Sequence, residues 1–293
     1  MGWEICDSST RNGVAMKIAV TGASGFIGRH LLPVLIVAGH DVIAVVRDKE
    51  TINDLDVNCV IVEHEISNEN NDVFEKLGKP DVLLHLAWGG LANYYSLHHI
   101  DTELPTYYDF IRSMVESGVK HVAVIGTCFE YGMQSGMLSE ELDTKPSNPY
   151  GYAKDALRKQ LQFLQKEFDF SLAWMRLFYM HGEDQPGNTL YSQLRSAVQR
   201  GNSTFNMSGG EQLRDYLYID QVVHHIAKIV LKNEDIGVVN VCSGKPVSVR
   251  RLVESWKEEN GWCIDLNLGH YPYPDYEPFA FWGSDKKMNM LLK

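Results

Sequence analysis

The segment Thr21-Gly-Ala-Ser-Gly-Phe-Ile-Gly28 joins two apolar runs near the start of the chain. The run before it, Lys17–Val20, is short and rich in β-branched residues, which favours a strand. The run after it, Phe26–Val37, is long enough for a helix, although Pro33 should bend that helix or cost about 3 kcal/mol. A strand, a glycine-rich turn and a helix in this order begin a βαβ unit. The segment therefore predicts a parallel sheet.

Further apolar runs follow the first helix. Continuous hydrophobic strands that alternate with helical segments are typical of a parallel sheet covered by helices on both faces. Helices are predicted over Leu104–Ser117 and Tyr152–Phe168. The predicted fold class is therefore α/β, with a doubly wound parallel sheet. The further predicted strands are Asp41–Val46, Cys59–Val62, Val82–Leu86 and Val122–Ile125.

The regular alternation fades after Arg176. Gly182–Gly187 and His270–Pro278 are rich in glycine, proline and aromatic residues, which predicts loops over the C-terminal edge of the sheet. That edge is where ligands bind in open α/β sheets. We predict a polar N-terminal extension over residues 1–15 and a dinucleotide-binding domain over residues 16–178. Residues 179–293 are predicted to be mainly a smaller substrate-binding α/β region, with the chain crossing back at least once.

The composition excludes several classes of partner. The 293 residues carry a formal net charge of -11, which argues against nucleic acid. The five cysteines are scattered without metal-ligand spacing, as expected for reduced thiols of a cytoplasmic protein. Leu31–Gly39, the longest strongly apolar stretch, is too short to span a bilayer, and residues 1–15 lack the layout of a secretory signal. We therefore expect a cytoplasmic protein that binds neither membrane nor nucleic acid.

The glycines of the turn, Gly22, Gly25 and Gly28, have a spacing that suits a dinucleotide. Gly22 allows a tight turn, Gly25 lets the backbone approach a pyrophosphate, and Gly28 permits close packing of helix on strand. The helix N-terminus adds its dipole and its free N–H groups. The same spacing occurs in ordinary turns, but a strand before it and a helix after it favour a dinucleotide site.

Tyr150 and Lys154 are four residues apart, so a helix places them on one face with Cβ atoms about 5–6 Å apart. A free phenol has a pKa of about 10, too high for easy proton exchange near neutral pH. A neighbouring ammonium group favours the phenolate and lowers this pKa. The hydroxyl of Thr127 can hold a carbonyl or alcohol oxygen against the phenol. Together with a bound dinucleotide, these residues predict hydride transfer at a carbonyl.

These motifs occur together in one family. Thr21–Gly28, Thr127, the Tyr150/Lys154 pair and Arg214-Asp-Tyr-Leu-Tyr-Ile-Asp220 resemble, in this order, the extended short-chain dehydrogenase/reductase family. Its members mostly act on nucleotide-linked sugars, and the resemblance extends over nearly the whole chain from Met16. It implies a Rossmann-type domain with a small C-terminal substrate domain. It also implies a homodimer formed through the two helices predicted above, over Leu104–Ser117 and Tyr152–Phe168.

The resemblance implies a set of cofactor-binding residues. The second strand ends in Val46-Arg47-Asp48, whereas family members that use NAD usually carry an acidic residue at about the Val46 position. Arg47 instead resembles the pattern of members that prefer NADP, because a guanidinium suits a 2′-phosphate. NADP(H) is therefore favoured, NAD(H) is the alternative, and Arg47 is otherwise an ordinary surface arginine. The implied cofactor contacts are Gly22, Ser24, Gly25, Phe26, Ile27, Gly28, Arg29, Arg47, Glu65, Ile66, Leu86, Ala87, Trp88, Tyr150 and Lys154.

The segment that begins at Thr127 separates the reactions of this family. Sugar 4,6-dehydratases carry Asp and Glu directly after the threonine, to move protons during water loss. This chain has Cys128 and Phe129 there, and Glu130 lies one position too late to be carried over. Dehydration is therefore disfavoured, and carbonyl reduction or epimerisation remains. The catalytic residues implied by the resemblance are Thr127, Tyr150 and Lys154.

The implied substrate contacts include two departures from the family pattern. Arg214 matches the arginine that grips the pyrophosphate of the sugar nucleotide, with a structural arginine as the alternative. Tyr179 stands where the family usually has a substrate-binding asparagine, and Glu103 stands where an asparagine usually precedes the dimer helix. The aromatic segment Pro272–Pro278 either stacks on a nucleobase or packs within the small domain. The implied substrate contacts are Thr127, Tyr150, Tyr179 and Arg214.

The motifs together predict a cytoplasmic NAD(P)H-dependent reductase of a nucleotide-linked 4-keto-6-deoxyhexose. The resemblance is closest to the members of the family that reduce dTDP-linked 4-keto sugars for surface polysaccharides. A 4-epimerase with tightly held NAD is the alternative among enzymes, and a dinucleotide-sensing binding protein is the alternative outside them. No metal site is predicted, because the paired histidines, His98-His99 and His224-His225, are adjacent and point in different directions on a helix.

Overall fold

The computed structural model describes residues 15–55, 57–67 and 72–293. The first strand, β1 (Lys17–Thr21), has four fully enclosed residues, as expected for the centre of a sheet. The predicted N-terminal extension lies outside the described residues except for its last residue. The strands of the central sheet are β1, β2 (Asp41–Val46), β3 (Val60–Glu63), β4 (Val82–His85), β5 (His121–Thr127), β7 (Ser171–Leu177) and β12 (Gly237–Val241).

Within the described residues these strands form a seven-stranded sheet in the order β3-β2-β1-β4-β5-β7-β12. Every neighbouring pair is parallel. This is the predicted α/β fold, a Rossmann-type parallel sheet. The order reverses between β1 and β4, and in open α/β sheets ligands bind at the C-terminal ends of the strands on either side of such a reversal.

Helices cover both faces of the sheet because alternate strand residues point to opposite faces. The helices are α1 (Phe26–Val37), α2 (Val73–Lys76), α3 (Leu104–Glu116), α4 (Pro149–Leu164), α5 (Leu190–Gln199), α6 (Ile219–Leu231), α7 (Val249–Asn260) and α8 (Lys286–Leu291). In β1, Ile18 and Val20 pack into a core with α1 and α6, whereas Ala19 packs into a second core with α3 and α4.

A smaller layer lies beyond the sheet, where α5 and α7 enclose a separate apolar cluster that includes Tyr191 and Trp256. Its strands form two-residue or three-residue pairs, β8 with β11, β9 with β14, and β10 with β13, and β6 pairs with β15. Their bounds are β6 (Gly136–Leu138), β8 (Tyr179–His181), β9 (Thr204–Asn206), β10 (Leu213–Arg214), β11 (Tyr216–Tyr218), β13 (Val247–Ser248), β14 (Asp265–Asn267) and β15 (Phe281–Gly283).

Helix α4 differs from the sequence-based expectation at both ends, since it spans Pro149–Leu164. Helix α4 begins at Pro149 rather than at Tyr152, because the side chain of Asn148 caps it by accepting from the Gly151 N–H at 2.8 Å and proline suits the first helical position. Helix α1 runs through Pro33 without ending, with that proline on its exposed side. In the described part of the chain, no helix is long and apolar enough to cross a membrane.

Candidate active site

A cleft of about 2100 Å³ lies at the C-terminal ends of the strands. It extends from the glycine-rich turn after β1, past the ends of β2, β4 and β5, to the smaller layer. Of the residues predicted to bind cofactor or substrate, all line this cleft except Arg29. The structure therefore brings together residues that the sequence separates by almost 200 positions.

The glycine-rich turn packs so closely against its surroundings that a side chain at two of its glycines would collide with backbone atoms. A Cβ on Gly22, which has φ +67°, would lie 2.8 Å from the backbone nitrogen of Ala87. A Cβ on Gly28 would lie 2.5 Å from the carbonyl oxygens of Gly22 and Ala23. Gly25 stands at the N-cap of α1 and offers no capping side chain, so the first N–H groups of the helix are left for an anion. This cradle fits the pyrophosphate of a dinucleotide.

The end of β2 presents a cation to the cleft. Arg47 lines the cleft, whereas the carboxylate of Asp48 turns away and accepts from the Glu50 N–H at 2.9 Å. Arg29 points elsewhere, because its guanidinium donates to the Thr51 carbonyl at 2.8 Å and pairs with Asp54. Of the two arginines predicted to contact the cofactor, Arg29 and Arg47, only Arg47 is part of the cleft lining.

The predicted catalytic side chains meet in the middle of the cleft. Tyr150 is half-buried and Lys154 is buried on α4, and both line the cleft together with Thr127 at the end of β5. Burial raises the pKa of Tyr150, and the nearby Thr127 hydroxyl only partly opposes the increase. The sequence predicts a lowered pKa for this phenol, whereas in the folded chain the loss of water around it raises the pKa.

Lys154 has an unusual environment for an ammonium group. Its Nζ donates to the Ile125 carbonyl at 2.8 Å and lies 4.0 Å from the centroid of the Trp88 ring. Burial lowers the pKa of Lys154 to about 7, although Glu130 and Glu103 oppose this. The lysine is therefore close to half-charged near neutral pH in this state.

Trp88 is fixed by a histidine that the sequence did not single out as a site residue. The indole N–H of Trp88 donates to His99 Nδ1 at 3.1 Å, and His99 Nε2 lies 3.0 Å from the Asn93 carbonyl. Because Nδ1 accepts and Nε2 donates, His99 is the neutral tautomer, and burial lowers its pKa accordingly. The indole face is thus held against Lys154.

Glu103 explains one departure from the family pattern. Its carboxylate accepts from the Gly89 N–H at 2.7 Å and contacts His98 Nε2 at 2.7 Å. A Cβ on Gly89 would lie 2.5 Å from that carboxylate, so the loop and the glutamate fit closely. Glu103 therefore anchors the loop that carries Trp88 to the segment before α3.

Glu130 holds the backbone at Thr127, the predicted catalytic threonine. It is fully buried and accepts from the Thr127 backbone N–H at 2.9 Å, from Trp174 Nε1 at 2.9 Å and from Arg176 Nε at 2.7 Å. With its oxygens engaged in this way, the carboxylate orients the Thr127 turn. The side chains that follow Thr127 into the cleft, Cys128 and Phe129, carry no acid.

The substrate end of the cleft contains an ion pair that the sequence did not predict. Arg214 donates from Nη2 and Nε to Glu277 Oε1, at 2.6 and 3.2 Å. Its Nη1 donates to the carbonyls of Leu213 and Phe279, at 2.8 and 3.1 Å. The Tyr179 hydroxyl donates to the other oxygen of Glu277. No sequence pattern pairs Arg214 with Glu277, because the two are 63 positions apart and a loop brings them together.

The paired histidines are separate from any cluster of potential ligands. His98 contacts Glu103, while His224 Nδ1 contacts the Asp220 carbonyl at 2.6 Å in its own helix. Among the residues that the structure describes, no group of three or more His, Cys, Asp or Glu side chains is placed to hold a metal ion.

Fold and site together define an NAD-dependent enzyme with a Tyr–Lys centre of the short-chain dehydrogenase/reductase type. Comparison of sequences identifies the family: residues 18–242 match the model of the NAD dependent epimerase/dehydratase family, and the chain belongs to this family. The family comprises nucleotide-sugar epimerases, dehydratases and dehydrogenases, so the chain is an enzyme of the oxidoreductase type.

Individual relatives narrow the comparison. The chain is 31% identical to dTDP-6-deoxy-L-talose 4-dehydrogenase (NAD(+)) of Aggregatibacter actinomycetemcomitans, over 92% of this chain and 100% of that protein. It is 28% identical to GDP-6-deoxy-D-talose 4-dehydrogenase of the same organism, over 82% and 78% of the two chains. Among solved structures, UDP-glucuronic acid 4-epimerase from Bacillus cereus, with UDP-glucuronic acid and NAD, has a TM-score of 0.81 at 24% identity, covering 94% and 93%. That last likeness supports the fold.

Proposed function

We propose that this enzyme reduces the C4 ketone of a nucleotide-linked 4-keto-6-deoxyhexose, with a dTDP-linked sugar as substrate. One observation carries the proposal: Thr127 and Tyr150 both line the cleft, whereas the two residues that follow Thr127, Cys128 and Phe129, supply no carboxylate there. The site can therefore protonate one oxygen but lacks the carboxylates that water loss requires. The 31% identical relative named as a dTDP-6-deoxy-L-talose 4-dehydrogenase supports a 6-deoxyhexose that reacts at C4.

The residues of the chain divide the work. The glycine-rich turn and Lys154 would hold a nicotinamide cofactor, which would supply the hydride that C4 accepts. Tyr150 donates its phenolic proton to O4, so that the ketone becomes an alcohol. Thr127 hydrogen-bonds the same oxygen and keeps it against the phenol. Lys154, when charged, stabilises the phenolate left by this transfer, which is the arrangement expected for general acid catalysis.

NADPH is the proposed preferred cofactor, and NADH is the alternative. The proposal is supported by Arg47, which lines the cleft at the end of β2, while the carboxylate of Asp48 is used within its own turn. The 31% identical relative carries NAD(+) in its name, so the comparison of the two cofactors is part of the test.

We also propose the setting of the reaction. Residues 16–178 would hold the cofactor and residues 179–293 would mainly hold the sugar nucleotide, which the positions of Tyr179 and Arg214 support. A homodimer formed through α3 and α4, a cytoplasmic location and a role in making deoxysugars for surface polysaccharides stay predictions from the resemblance.

Consumption of cofactor tests the proposal. Purified enzyme is mixed with NADPH or NADH and with dTDP-, GDP- and CDP-linked 4-keto-6-deoxyhexoses, and absorbance at the nicotinamide band is followed. A reductase consumes one cofactor for each sugar. The alternative 4-epimerase interconverts sugars without net loss of cofactor, and a binding protein converts nothing. Either of those results overturns the proposed reduction.

A further inference from the structure

Arg214, the residue proposed to grip the substrate's diphosphate, is already paired with an anion of the protein itself. Glu277 Oε1 accepts from Arg214 Nη2 and Nε, at 2.6 and 3.2 Å. The side chains are largely buried, with 3% of Arg214 and 9% of Glu277 exposed. The Tyr179 hydroxyl occupies the other carboxylate oxygen. Glu277 thus accepts hydrogen bonds from Tyr179 and Arg214, which were both predicted to contact the substrate.

The segment that carries Glu277 forms backbone hydrogen bonds with the rest of the protein only near its two ends. At one end the His270 N–H donates to the Met207 carbonyl at 2.9 Å, and at the other the Leu213 N–H donates to the Phe279 carbonyl at 3.0 Å. Within the described residues, the backbone of residues 272–278 makes no backbone–backbone hydrogen bond. We call residues 272–278 the strap. Its ion pair with Arg214 is the main polar contact of its middle.

The aromatic residues of the strap do not form an apolar core. Tyr273 is 40% exposed and Tyr276 is 41% exposed, and both line the cleft. Proline stands at residues 272, 274 and 278, which restricts the backbone and lowers the entropy lost when the strap orders. The strap can therefore move away from the cleft without breaking a hydrogen-bonded element or an apolar cluster.

A diphosphate cannot share Arg214 with Glu277. Arg214 Nη1 is already bonded to two carbonyls, so a ligand has only the edge formed by Nε and Nη2, which Glu277 covers. A phosphate placed beside the carboxylate would bring like charges together in a partly buried site, where repulsion is strong. One of the two anions has to leave.

The geometry points to Glu277 as an internal competitor of the substrate: its carboxylate occupies the anion site on Arg214, and the diphosphate of a sugar nucleotide displaces it. Displacement also frees the Tyr179 hydroxyl to contact the sugar. The inference rests on the proposed function in one respect, that the ligand of Arg214 is a nucleoside diphosphate. Under this inference the affinity of the enzyme for a nucleoside diphosphate depends on the strap, because binding includes the free energy of breaking the contacts of Glu277.

The test is calorimetric titration of the full chain with dTDP, UDP, GDP and CDP, followed by the nucleoside of the diphosphate that binds tightest. Glu277→Gln keeps the size of the side chain and removes its charge. We expect this variant to bind that diphosphate at least about tenfold more tightly than the wild type, as loss of a charged competitor implies. The nucleoside, which has no phosphate, should bind both proteins with affinities within about twofold.

A matched control separates the ion pair from general charge. Asp275→Asn removes a negative charge from the same strap at an exposed residue, and we expect less than about a threefold change in diphosphate affinity. Because Glu277→Gln leaves a buried guanidinium without its partner, it is expected to lower the melting temperature and to regain it with the diphosphate. Should Glu277→Gln fail to fold, Tyr179→Phe removes the second contact of Glu277 without changing charge and should tighten diphosphate binding by about twofold or more.

The outcomes are distinguishable. Equal or weaker diphosphate binding by Glu277→Gln, while the wild type binds it well, overturns the competitor and leaves the proposed function intact. If none of the four diphosphates binds the wild type or the variant more tightly than its nucleoside, the proposed function fails together with the inference.

Discussion

At the scale of single residues, the burial of Lys154 lowers the stability of the folded chain. An ammonium group that is 2% exposed loses most of its hydration, and it is compensated by one carbonyl and one indole ring. Burial is the largest influence on its pKa, which falls from 10.5 to about 7. A group that binds its proton less well in the folded state than in the unfolded state makes the fold less stable wherever it is charged.

The first prediction follows from the lowered pKa of Lys154 in the folded state. Between pH 7 and pH 10.5 the unfolded chain holds the Lys154 proton more tightly than the folded chain, so this group's contribution to stability increases with pH. Without added ligand, Lys154→Met should be more stable than the wild type at pH 7, on the order of 2 kcal/mol. Urea unfolding of both proteins at pH 7 and pH 9.5 measures the difference. It should shrink at the higher pH, and a constant difference would contradict the buried cation.

Tyr150 is the second residue with a direct prediction. If its phenol donates the proton, Tyr150→Phe should lower kcat by at least about a hundredfold, the usual scale of general acid catalysis. Cofactor affinity should survive because the ring still packs. Tyr152→Phe is the matched control, since Tyr152 lies two residues further along α4 and is 52% exposed. Steady-state kinetics of both variants give the result, and near-normal turnover by Tyr150→Phe would remove Tyr150 from the mechanism.

Sequence reasoning could place Thr127, Tyr150 and Lys154, because local spacing and family resemblance determine where such residues stand. It could not find Glu277, whose contact with Arg214 depends on the path of a loop that has no periodic pattern. It also gave the wrong direction for the pKa of Tyr150. Spacing along a helix shows which charge is near, whereas the loss of water depends on the complete fold.

At the scale of elements, the turn between β5 and the short helix Cys128–Tyr131 positions Thr127, the proposed catalytic threonine. Glu130 closes this turn by accepting from the Thr127 N–H, and it is held in turn by Arg176 from β7. A glutamate three residues after a threonine is the pattern of a capping box, in which the two residues satisfy each other's backbone groups. The Thr127/Glu130 spacing can be read from the sequence, but the contact of Glu130 with Arg176 on β7 cannot.

A third prediction tests this clamp. Glu130→Gln leaves the Arg176 guanidinium buried without a counter-charge, since Arg176 is 2% exposed. Breaking a buried pair in this way is expected to destabilise the protein by about 3–5 kcal/mol. Glu116→Gln, which breaks an exposed pair with Arg112, is the control and should cost less than about 1 kcal/mol. Denaturant unfolding separates the two, and equal effects would show that Glu130 is not a structural clamp.

The end of β2 carries the fourth prediction, on the choice of cofactor. A charge-assisted contact from Arg47 to a 2′-phosphate contributes about 1.5–3 kcal/mol, so Arg47→Ala should raise the KM for NADPH about tenfold or more. The KM for NADH should change little. Arg29→Ala is the control, because Arg29 pairs with Asp54 outside the cleft lining. Equal losses with both cofactors, or no loss, would make Arg47 an ordinary surface residue.

Element boundaries show where sequence patterns are reliable. The apolar runs predicted β2 and α1 with the bounds that the structure has, because both are rich in hydrophobic residues and α1 is followed by the turn at Gly39. Helix α4 was placed three residues late, since Pro149-Tyr-Gly151 has low helix propensity and only the cap at Asn148 starts the helix there.

At the scale of the whole molecule, the parallel sheet was predictable and the smaller layer was not. The sheet follows from buried strands that alternate with helices along the chain. The strands of the smaller layer are two or three residues long and pair across large separations, as β9 does with β14. Segments this short carry no period, so only the folded chain shows how Tyr179, Arg214 and the strap close the substrate end of the cleft.

The proposed reduction combines three features of the whole molecule: Tyr150 as the proposed proton donor, a glycine-rich cradle for a dinucleotide, and Cys128 and Phe129 instead of an acid pair after Thr127. The decisive measurement is the NMR spectrum of the product formed from a dTDP-4-keto-6-deoxyhexose with NADPH or NADH. We expect a single new H4 signal, with a coupling constant that identifies one 4-hydroxy epimer, and cofactor consumed in equal amount. Efficient water loss from dTDP-glucose, or interconversion of 4-epimers without cofactor loss, would contradict the proposed reduction.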